Sequence, residues 1–271
     1  MEIIRKLHYL NFDTGAGAVI MSLFIAQIMN VSIPISSSIS LFMAVLVIYT
    51  FDHYQDSFLS NIDQSSERLK FYRGNRKRLR LFLVMLILML VISLTFLPRQ
   101  LLVNGIILSI AVGAYFGLLK LLPLKVLVFK ELFVAIVYSL GVVLPTYTLM
   151  DSSTTPSVFS ITSIVAVLAL INLFVFSLYD KESDLTTMQP NIIRVIGSKV
   201  PQLLGIIVAM VGLFLIWYPG ILNLKIQDCL VLTLMNLILV TLLLIPVTKS
   251  STKEYLRIVG ECAFILPLAV L

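Results

Sequence analysis

The stretch SVFSITSIVAVLALINLFVFSLY, residues 157–179, decides which kind of fold this chain can adopt. It holds no charged side chain, and a helix of about 20 mainly apolar residues is long enough to cross the hydrocarbon core of a bilayer. Its apolar residues follow one another without the two-residue alternation of a membrane β-strand. The stretch therefore predicts a transmembrane helix.

The composition of the whole chain agrees with a membrane environment. Of its 271 residues, 59% are hydrophobic and 13% are charged. Soluble domains are typically about 45–50% apolar and about 25% charged, so a soluble fold is excluded. The chain is predicted to be a polytopic membrane protein. Its two cysteines have no metal-ligand spacing and are predicted to be packing residues.

Eight further stretches of similar polarity extend this pattern along the chain. The predicted fold class is therefore all-α: a nine-transmembrane-helix bundle that forms a single membrane domain over residues 1–271. The mixed segment 1–13 shows no signal-peptide cleavage site and is predicted to lie in the membrane interface. The nine predicted spans are 14–33, 36–55, 80–97, 101–119, 129–149, 157–179, 200–218, 228–246 and 256–271.

The basic residues predict an orientation for these spans. With the N-terminus in the cytoplasm, 18 of the 20 Lys and Arg residues fall on the cytoplasmic side, and only Arg99 and Lys225 fall outside. This asymmetry follows the positive-inside rule. An integral membrane protein with a cytoplasmic N-terminus and an outer C-terminus is therefore predicted. The net charge of +6 is assigned to topology and lipid contact, with no nucleic-acid partner.

Two pairs of aspartates lie where predicted spans end on the cytoplasmic side. Asp52 and Asp56 close the second span in YTFDHYQDSF, and Asp180 and Asp184 close the sixth in SLYDKESD. Residues four apart share one helix face. Two carboxylates at the negative C-terminal end of a helix are unfavourable unless a cation lies beside them. Hard oxygen ligands suit Mg²⁺, so each pair is predicted to bind it.

The positions of the two pairs predict one shared site. They lie four spans apart, so the chain divides into two four-helix units, each with an acidic pair ending its second helix, plus a ninth helix. Equivalent motifs in two halves of a membrane protein can face one site between them. The segments 56–79 and 180–199 are predicted to be cytoplasmic loops over that site.

This organisation resembles the UbiA superfamily of intramembrane prenyltransferases, whose members have nine transmembrane helices and two cytoplasmic aspartate-rich motifs. The fullest form of the first motif is Asn-Asp-x-x-Asp-x-x-x-Asp. Asp52 and Asp56 match its last two aspartates, while Ile48 and Tyr49 stand at its first two positions. The second motif, often Asp-x-Glu-Gly-Asp, is matched by DKESD at residues 180–184.

The resemblance implies a transferase that moves an isoprenyl group from an isoprenyl diphosphate to a lipophilic or aromatic acceptor. Mg²⁺ ions on Asp52, Asp56, Asp180 and Asp184 would bind the diphosphate, so these aspartates are the predicted catalytic residues and metal ligands. The acceptor and the chain length of the donor stay open. Two alternatives also stay open: a membrane carrier or channel for a cation, and a catalytically inactive relative that binds a prenylated lipid.

Other polar residues are candidates for binding the diphosphate. Arginine suits phosphate through its planar fork of donors and lysine through a point charge, although basic loops also anchor proteins to anionic lipid. A lysine near a helix end can equally extend to the interface, an asparagine can bond a neighbouring helix, and a tyrosine can belong to an interfacial aromatic belt. His53 has no metal-binding partner at helical spacing and is given no role. The candidates are Arg73, Arg76, Lys77, Lys130, Asn172, Tyr179 and Arg194.

Overall fold

A computed structural model describes residues 2–58, 67–119, 130–150, 155–187, 197–218, 224–246 and 250–271. Within these ranges all regular structure is helical, which confirms the predicted all-α class. A short 3₁₀ helix near the C-terminal end covers Leu266–Ala269. The α-helices are α1 (Glu2–Tyr9), α2 (Phe12–Ile28), α3 (Ile35–Asp56), α4 (Glu67–Gly74), α5 (Arg76–Leu94), α6 (Arg99–Leu119), α7 (Lys130–Leu149), α8 (Thr155–Thr187), α9 (Lys199–Trp217), α10 (Ile226–Leu244) and α11 (Ser250–Ala263).

Six of these helices are long and apolar enough to cross a bilayer: α3, α6, α7, α8, α9 and α10. A seventh span arises if α1 and α2, which meet at a bend of 70°, are taken together. The other helices that match predicted spans are shorter or carry more charge. α5 begins with RKRLR, and α11 holds Glu254, Arg257 and Glu261. The described residues therefore contain six or seven candidate spans by length and composition, as expected of a multi-pass helical membrane protein.

The two segments predicted as cytoplasmic loops contain more helix than expected. α8 continues past the predicted span to Thr187, so the segment 180–199 begins as helix. α4 lies inside the segment 56–79, and α5 begins at Arg76. Glu, Lys and Arg have good helix propensity, so they extend a helix beyond an apolar run as readily as they end it.

The last predicted span, 256–271, is not one helix. α11 ends at Ala263, and a turn leads into the 3₁₀ helix that contains Pro267. Proline has no backbone N–H to donate, and its ring obstructs the preceding turn of an α-helix. The apolar run therefore continues in sequence while the helix does not.

The junction between α1 and α2 bends sharply at Asn11, which adopts a left-handed conformation with φ 61°. Asparagine is one of the few residues that tolerate this conformation. The hydroxyl of Tyr72 in α4 holds the bend, since it donates to the carbonyl oxygen of Tyr9 at 3.0 Å and accepts from the Asn11 amide at 3.4 Å. His8 Nδ1 lies 2.5 Å from Asp13 Oδ2 across the same junction. The bend thus has a fixed shape.

α8 lies at the centre of the bundle. Its span is 56% buried, the largest share among the six, and it contacts α7, α9, α10 and α11. Ile161, Ile164, Leu168 and Ile171 are fully buried and recur every three or four residues, which places them on one stripe of the helix. α7, which packs against α8, also contacts α2 and α6. α3 packs against α2 and α5.

Large apolar side chains are exposed on the outer faces of α5, α6 and α9, as at Leu88, Ile107 and Met210. Only 6% of the span in α6 is buried. Soluble proteins rarely leave contiguous apolar surfaces of this extent in water. These faces therefore contact the lipid of the bilayer.

Gly212 allows α9 to approach α8 and α10 closely. A Cβ atom here would lie 2.7 Å from Val167 Cγ1 and 2.8 Å from Asn236 Nδ2. Val167 is β-branched and stiff, and Asn236 is fully buried, so neither side chain can move easily. We expect Gly212→Ala to lower the free energy of unfolding by about 1–3 kcal/mol, the usual cost of overpacking. The change is measured as a lower melting temperature in detergent.

Gly113→Ala is the matched control, because no atom lies within 4 Å of a Cβ at Gly113 in α6. Alanine favours a helix by about 1 kcal/mol relative to glycine, so this variant should be neutral or slightly more stable. Similar destabilisation in both variants would contradict the packing explanation.

Candidate functional site

One cavity of about 390 Å³ joins several of the predicted site residues. It lies between α3, α5, α6 and α7, and it reaches α4, α8, α11 and the bend between α1 and α2. Charged side chains from five helices line it. These residues are Asp52, Asp56, Arg68, Lys130, Glu131, Asp180, Arg257 and Glu261.

The cavity is charged at one end and largely apolar along the rest. Its wall follows α3 from Ser37 to Asp56, which is about 28 Å at the helical rise of about 1.5 Å per residue. Near the start of α3, the Ser40 hydroxyl donates to Ser93 of α5 at 2.8 Å, so the end of α5 lies beside the start of α3. Leucines from the facing ends of α5 and α6 form the wall there. They are Leu94, Leu97, Leu101 and Leu102.

Asp52, His53 and Asp56 form a cluster at the charged end. One possible ligand atom from each residue lies within 4.8 Å of the others. The Asp52 side chain is 44% exposed because it faces the cavity, and its Oδ2 lies 3.9 Å from His53 Nδ1. His53 is expected from its spacing to lack a metal-binding partner. The structure corrects this expectation, because the imidazole reaches across the offset between adjacent helical residues.

The second acidic motif meets the same cavity through Asp180. Its Oδ1 pairs with the guanidinium of Arg257 on α11, and the two side chains are 22% and 5% exposed, respectively. Asp184 lies on the same helix, but the side chains of residues 181–187 are outside the described part of the chain. The structure thus brings one aspartate of the second pair to the cavity that the first pair lines.

Lys130 and Arg68 bring positive charge to the cavity. Lys130 is a predicted diphosphate ligand at the start of α7. Arg68 belongs to the same basic segment as Arg73, Arg76 and Lys77, but it is not among the predicted ligands. The choice between these residues depends on how α4 packs, and Leu69 and Tyr72 are its buried residues. The sequence therefore indicates that a basic residue of this segment could reach the site, but it does not indicate that this residue is Arg68.

The three basic residues predicted from this segment lie away from the cavity. Arg73 Nε donates to the carbonyl oxygen of Ser57 at 3.2 Å, and the Arg76 guanidinium donates to the same oxygen. Arg76 also lies over the ring of Phe58, 4.4 Å from its centroid. Ser57 follows the last residue of α3, so both arginines stabilise that helix end. Lys77 is exposed, and none of these three residues lines the cavity.

Asn172 and Tyr179 face neighbouring helices rather than the cavity. The Tyr179 hydroxyl donates to the carbonyl oxygen of Leu242 in α10 at 2.7 Å. Asn172 is 7% exposed, and its Oδ1 lies 2.9 Å from where a Cβ of Gly260 in α11 would be. Neither side chain lines the cavity. Arg194 lies outside the described residues.

Glu131 adds a buried carboxylate to the cavity wall. It is 4% exposed, and its Oε1 accepts a hydrogen bond from the Ser177 hydroxyl at 3.0 Å. Within the described ranges its Oε2 has no hydrogen-bond partner. A buried acceptor without a partner is costly, so this oxygen suits a hydrogen-bond donor on a molecule in the cavity.

A contact between Tyr9 and Glu254 joins α1 to α11. The Tyr9 hydroxyl lies 3.1 Å and 3.0 Å from the two carboxylate oxygens of Glu254. Burial raises the pKa of the Glu254 carboxyl above its ordinary value. Arg257 and Glu261 follow one and two turns later on the same face, which places them on the cavity.

The site therefore combines three basic and five acidic side chains at one end of a cavity that is otherwise largely apolar. Such an arrangement can hold a charged group and an attached hydrocarbon together. Comparisons of the chain with protein-family models, with curated proteins and with solved structures find no match.

Proposed function

We propose that this protein is a magnesium-dependent intramembrane prenyltransferase, which moves an isoprenyl group from an isoprenyl diphosphate to a lipophilic or aromatic acceptor. The observation that carries the proposal is the polarity of the cavity, charged at one end and apolar over most of the length of α3. An isoprenyl diphosphate has the same polarity, with a polyanionic head and a hydrocarbon tail. The resemblance to the UbiA superfamily points to the same chemistry.

The charged end needs an added cation before it can hold a diphosphate. Carboxylates outnumber basic side chains there, so the lining is net negative when all of them are ionised. The carboxylates of Asp52 and Asp56 offer oxygen atoms close enough together for one ion, and Mg²⁺ is typically held by one or two carboxylates with substrate phosphates. The first motif therefore fits Mg²⁺, which when bound would supply positive charge to the leaving diphosphate.

The chain's own residues would supply the remaining chemistry. Arg68 and Lys130 donate charged hydrogen bonds to the diphosphate oxygens and so stabilise the charge that develops as the carbon–oxygen bond breaks. The apolar walls from α5 and α6 exclude water from the allylic carbon, which limits hydrolysis. Glu131 Oε2 accepts a hydrogen bond from the acceptor.

The proposal includes nine spans, with the N-terminus and the active site in the cytoplasm and the C-terminus outside. In this arrangement α2, α5 and α11 cross or enter the membrane together with the six longer helices. The distribution of 18 against 2 basic residues supports it. The charged end of the cavity then faces the cytoplasm, from which a divalent cation can reach it.

Two other functions make different demands on the same cavity. A cation carrier needs ligands for the ion along the whole path, whereas near the start of α3 four leucines line the wall and the polar groups are the hydroxyls of Ser37 and Ser40. A catalytically inactive relative that binds a prenylated lipid would keep the cavity. The pairing of Asp180 with Arg257 is the observation that favours this alternative, because an aspartate of the second motif then binds an arginine of the same chain.

Binding of isoprenyl diphosphates to the purified protein in detergent tests the proposal. We expect donors to bind in Mg²⁺ and to lose at least tenfold in affinity, about 1.4 kcal/mol, when EDTA removes the ion. The matched isoprenyl alcohols lack the charged head and should bind weakly in both conditions.

Three outcomes separate the alternatives. Failure to bind a donor of any length would refute the prenyltransferase proposal. Metal-dependent binding without diphosphate release, across phenolic, quinone-precursor and lipid acceptors, would identify the inactive relative. Cation flux in vesicles without donor binding would indicate a carrier.

A further inference from the structure

Arg257 reaches the cavity beside Asp180, where the family resemblance implies a metal ion. Its side chain is 5% exposed and pairs with Asp180 Oδ1, and its guanidinium carbon lies 6.0 Å from the centroid of the Phe176 ring. Both charged residues line the cavity. A buried ion pair is favourable only where good geometry and further hydrogen bonds offset the loss of hydration.

The Arg257 guanidinium has hydrogen-bonding capacity left over. It presents several N–H donors in one plane, and its Nε has no hydrogen-bond partner within the described residues. A buried donor without a partner is costly, whereas phosphate oxygens match the planar fork of arginine. The remaining donors of Arg257 therefore suit an anionic group in the cavity.

A metal ion at Asp180 Oδ1 would have to displace this arginine. The guanidinium already neutralises the carboxylate, and it would repel a second cation at the same oxygen. The first motif differs, because Asp52, His53 and Asp56 bring three possible ligand atoms within 4.8 Å of one another. Within the described residues, the first motif therefore suits a cation, whereas Asp180 of the second motif is paired with an arginine.

We propose that Arg257 takes the place of a second metal ion. The cavity then holds one divalent cation at the first motif, and Arg257, positioned by Asp180, binds the diphosphate from the side of α8 and α11. This inference rests on the proposed function and specifies how its donor is held. A fixed side chain supplies the second positive charge, so donor binding requires one divalent ion instead of two.

Counting bound Mn²⁺ tests the inference without relying on turnover. The purified protein is saturated with farnesyl thiodiphosphate, which resists cleavage, and titrated with Mn²⁺ while bound ions are counted by electron paramagnetic resonance. We expect one Mn²⁺ per bound analogue and no spin coupling. Two coupled ions would overturn the role of Arg257 and leave the proposed function standing. Absence of metal-dependent analogue binding would overturn both.

Variants of Arg257 give a second readout. We expect Arg257→Ala either to weaken analogue binding tenfold or more or to admit a second Mn²⁺ at the released Asp180. Arg257→Lys keeps the charge without the planar fork and should fall between wild type and alanine. Arg80→Ala, which removes an exposed arginine of α5, is the control and should match wild type. Unchanged affinity with one Mn²⁺ in Arg257→Ala would assign this arginine to packing alone. If the alanine variant fails to fold, the lysine variant and the number of Mn²⁺ ions bound by the wild type still test the role of Arg257.

Discussion

Asp52→Asn is expected to remove most donor binding and turnover. The substitution keeps the size of the side chain but removes the negative charge that attracts a divalent ion. Loss of one group that stabilises developing charge typically lowers turnover by about 10²–10³-fold, and we expect Mg²⁺-dependent donor binding to weaken at least tenfold. A titration at several Mg²⁺ concentrations locates the defect, because a loss of ion affinity is partly rescued at high Mg²⁺.

Asp228→Asn is the matched control for this variant. Asp228 is a buried acid, 3% exposed, that lies in the first turn of α10 and does not line the cavity. The Asp228→Asn variant should bind donors as the wild type does. Normal donor binding by Asp52→Asn, or an equal defect in both variants, would contradict the assignment of Asp52 to the ion.

Gly105→Phe is expected to restrict the length of donor that the protein accepts. Gly105 of α6 lines the apolar part of the cavity, and no atom lies within 4 Å of where its Cβ would be. A phenyl ring therefore has room to enter the cavity and fill the volume that a long tail needs. We expect geranyl diphosphate to bind as it does to wild type, and geranylgeranyl and longer diphosphates to lose tenfold or more in affinity.

Gly113→Phe tests whether this effect depends on the cavity. Gly113 lies about two turns further along α6, has the same open space around its Cβ position, and does not line the cavity. Its phenyl ring should face lipid and leave the dependence on donor length unchanged. If both variants show the same dependence on length, the tail lies elsewhere.

Most of the helices could be predicted from the sequence, because a backbone in lipid must satisfy its own hydrogen bonds and a helix does this within one segment. The meeting of Asp52, Asp56 and Asp180 at one cavity could also be predicted, from their equivalent positions at helix ends. The break in the last predicted span could not be predicted, because Pro267 ends the helix within a run that is still apolar.

Side-chain partners between distant helices could not be predicted. Arg257 counts in the sequence only as one more cytoplasmic charge, and its contact with Asp180 depends on α11 lying beside α8. Arg68 and Arg73 are five residues apart in one basic segment, and the packing of α4 alone decides that Arg68 lines the cavity while Arg73 binds the end of α3. Such choices are made by tertiary structure.

A hydrocarbon tail that passes from the bilayer into the leucine-lined end of the cavity exchanges one apolar solvent for another. Lipid tails are as apolar as leucine, so this transfer contributes little free energy. A soluble protein that took the same tail from water would gain about 0.8 kcal/mol for each buried CH₂ group. Here the affinity must come from the charged head. The leucine walls can exclude a tail that is too long, but contact with a tail that fits adds little binding free energy. Selection by tail length is therefore steric, and the attraction that holds the donor is ionic.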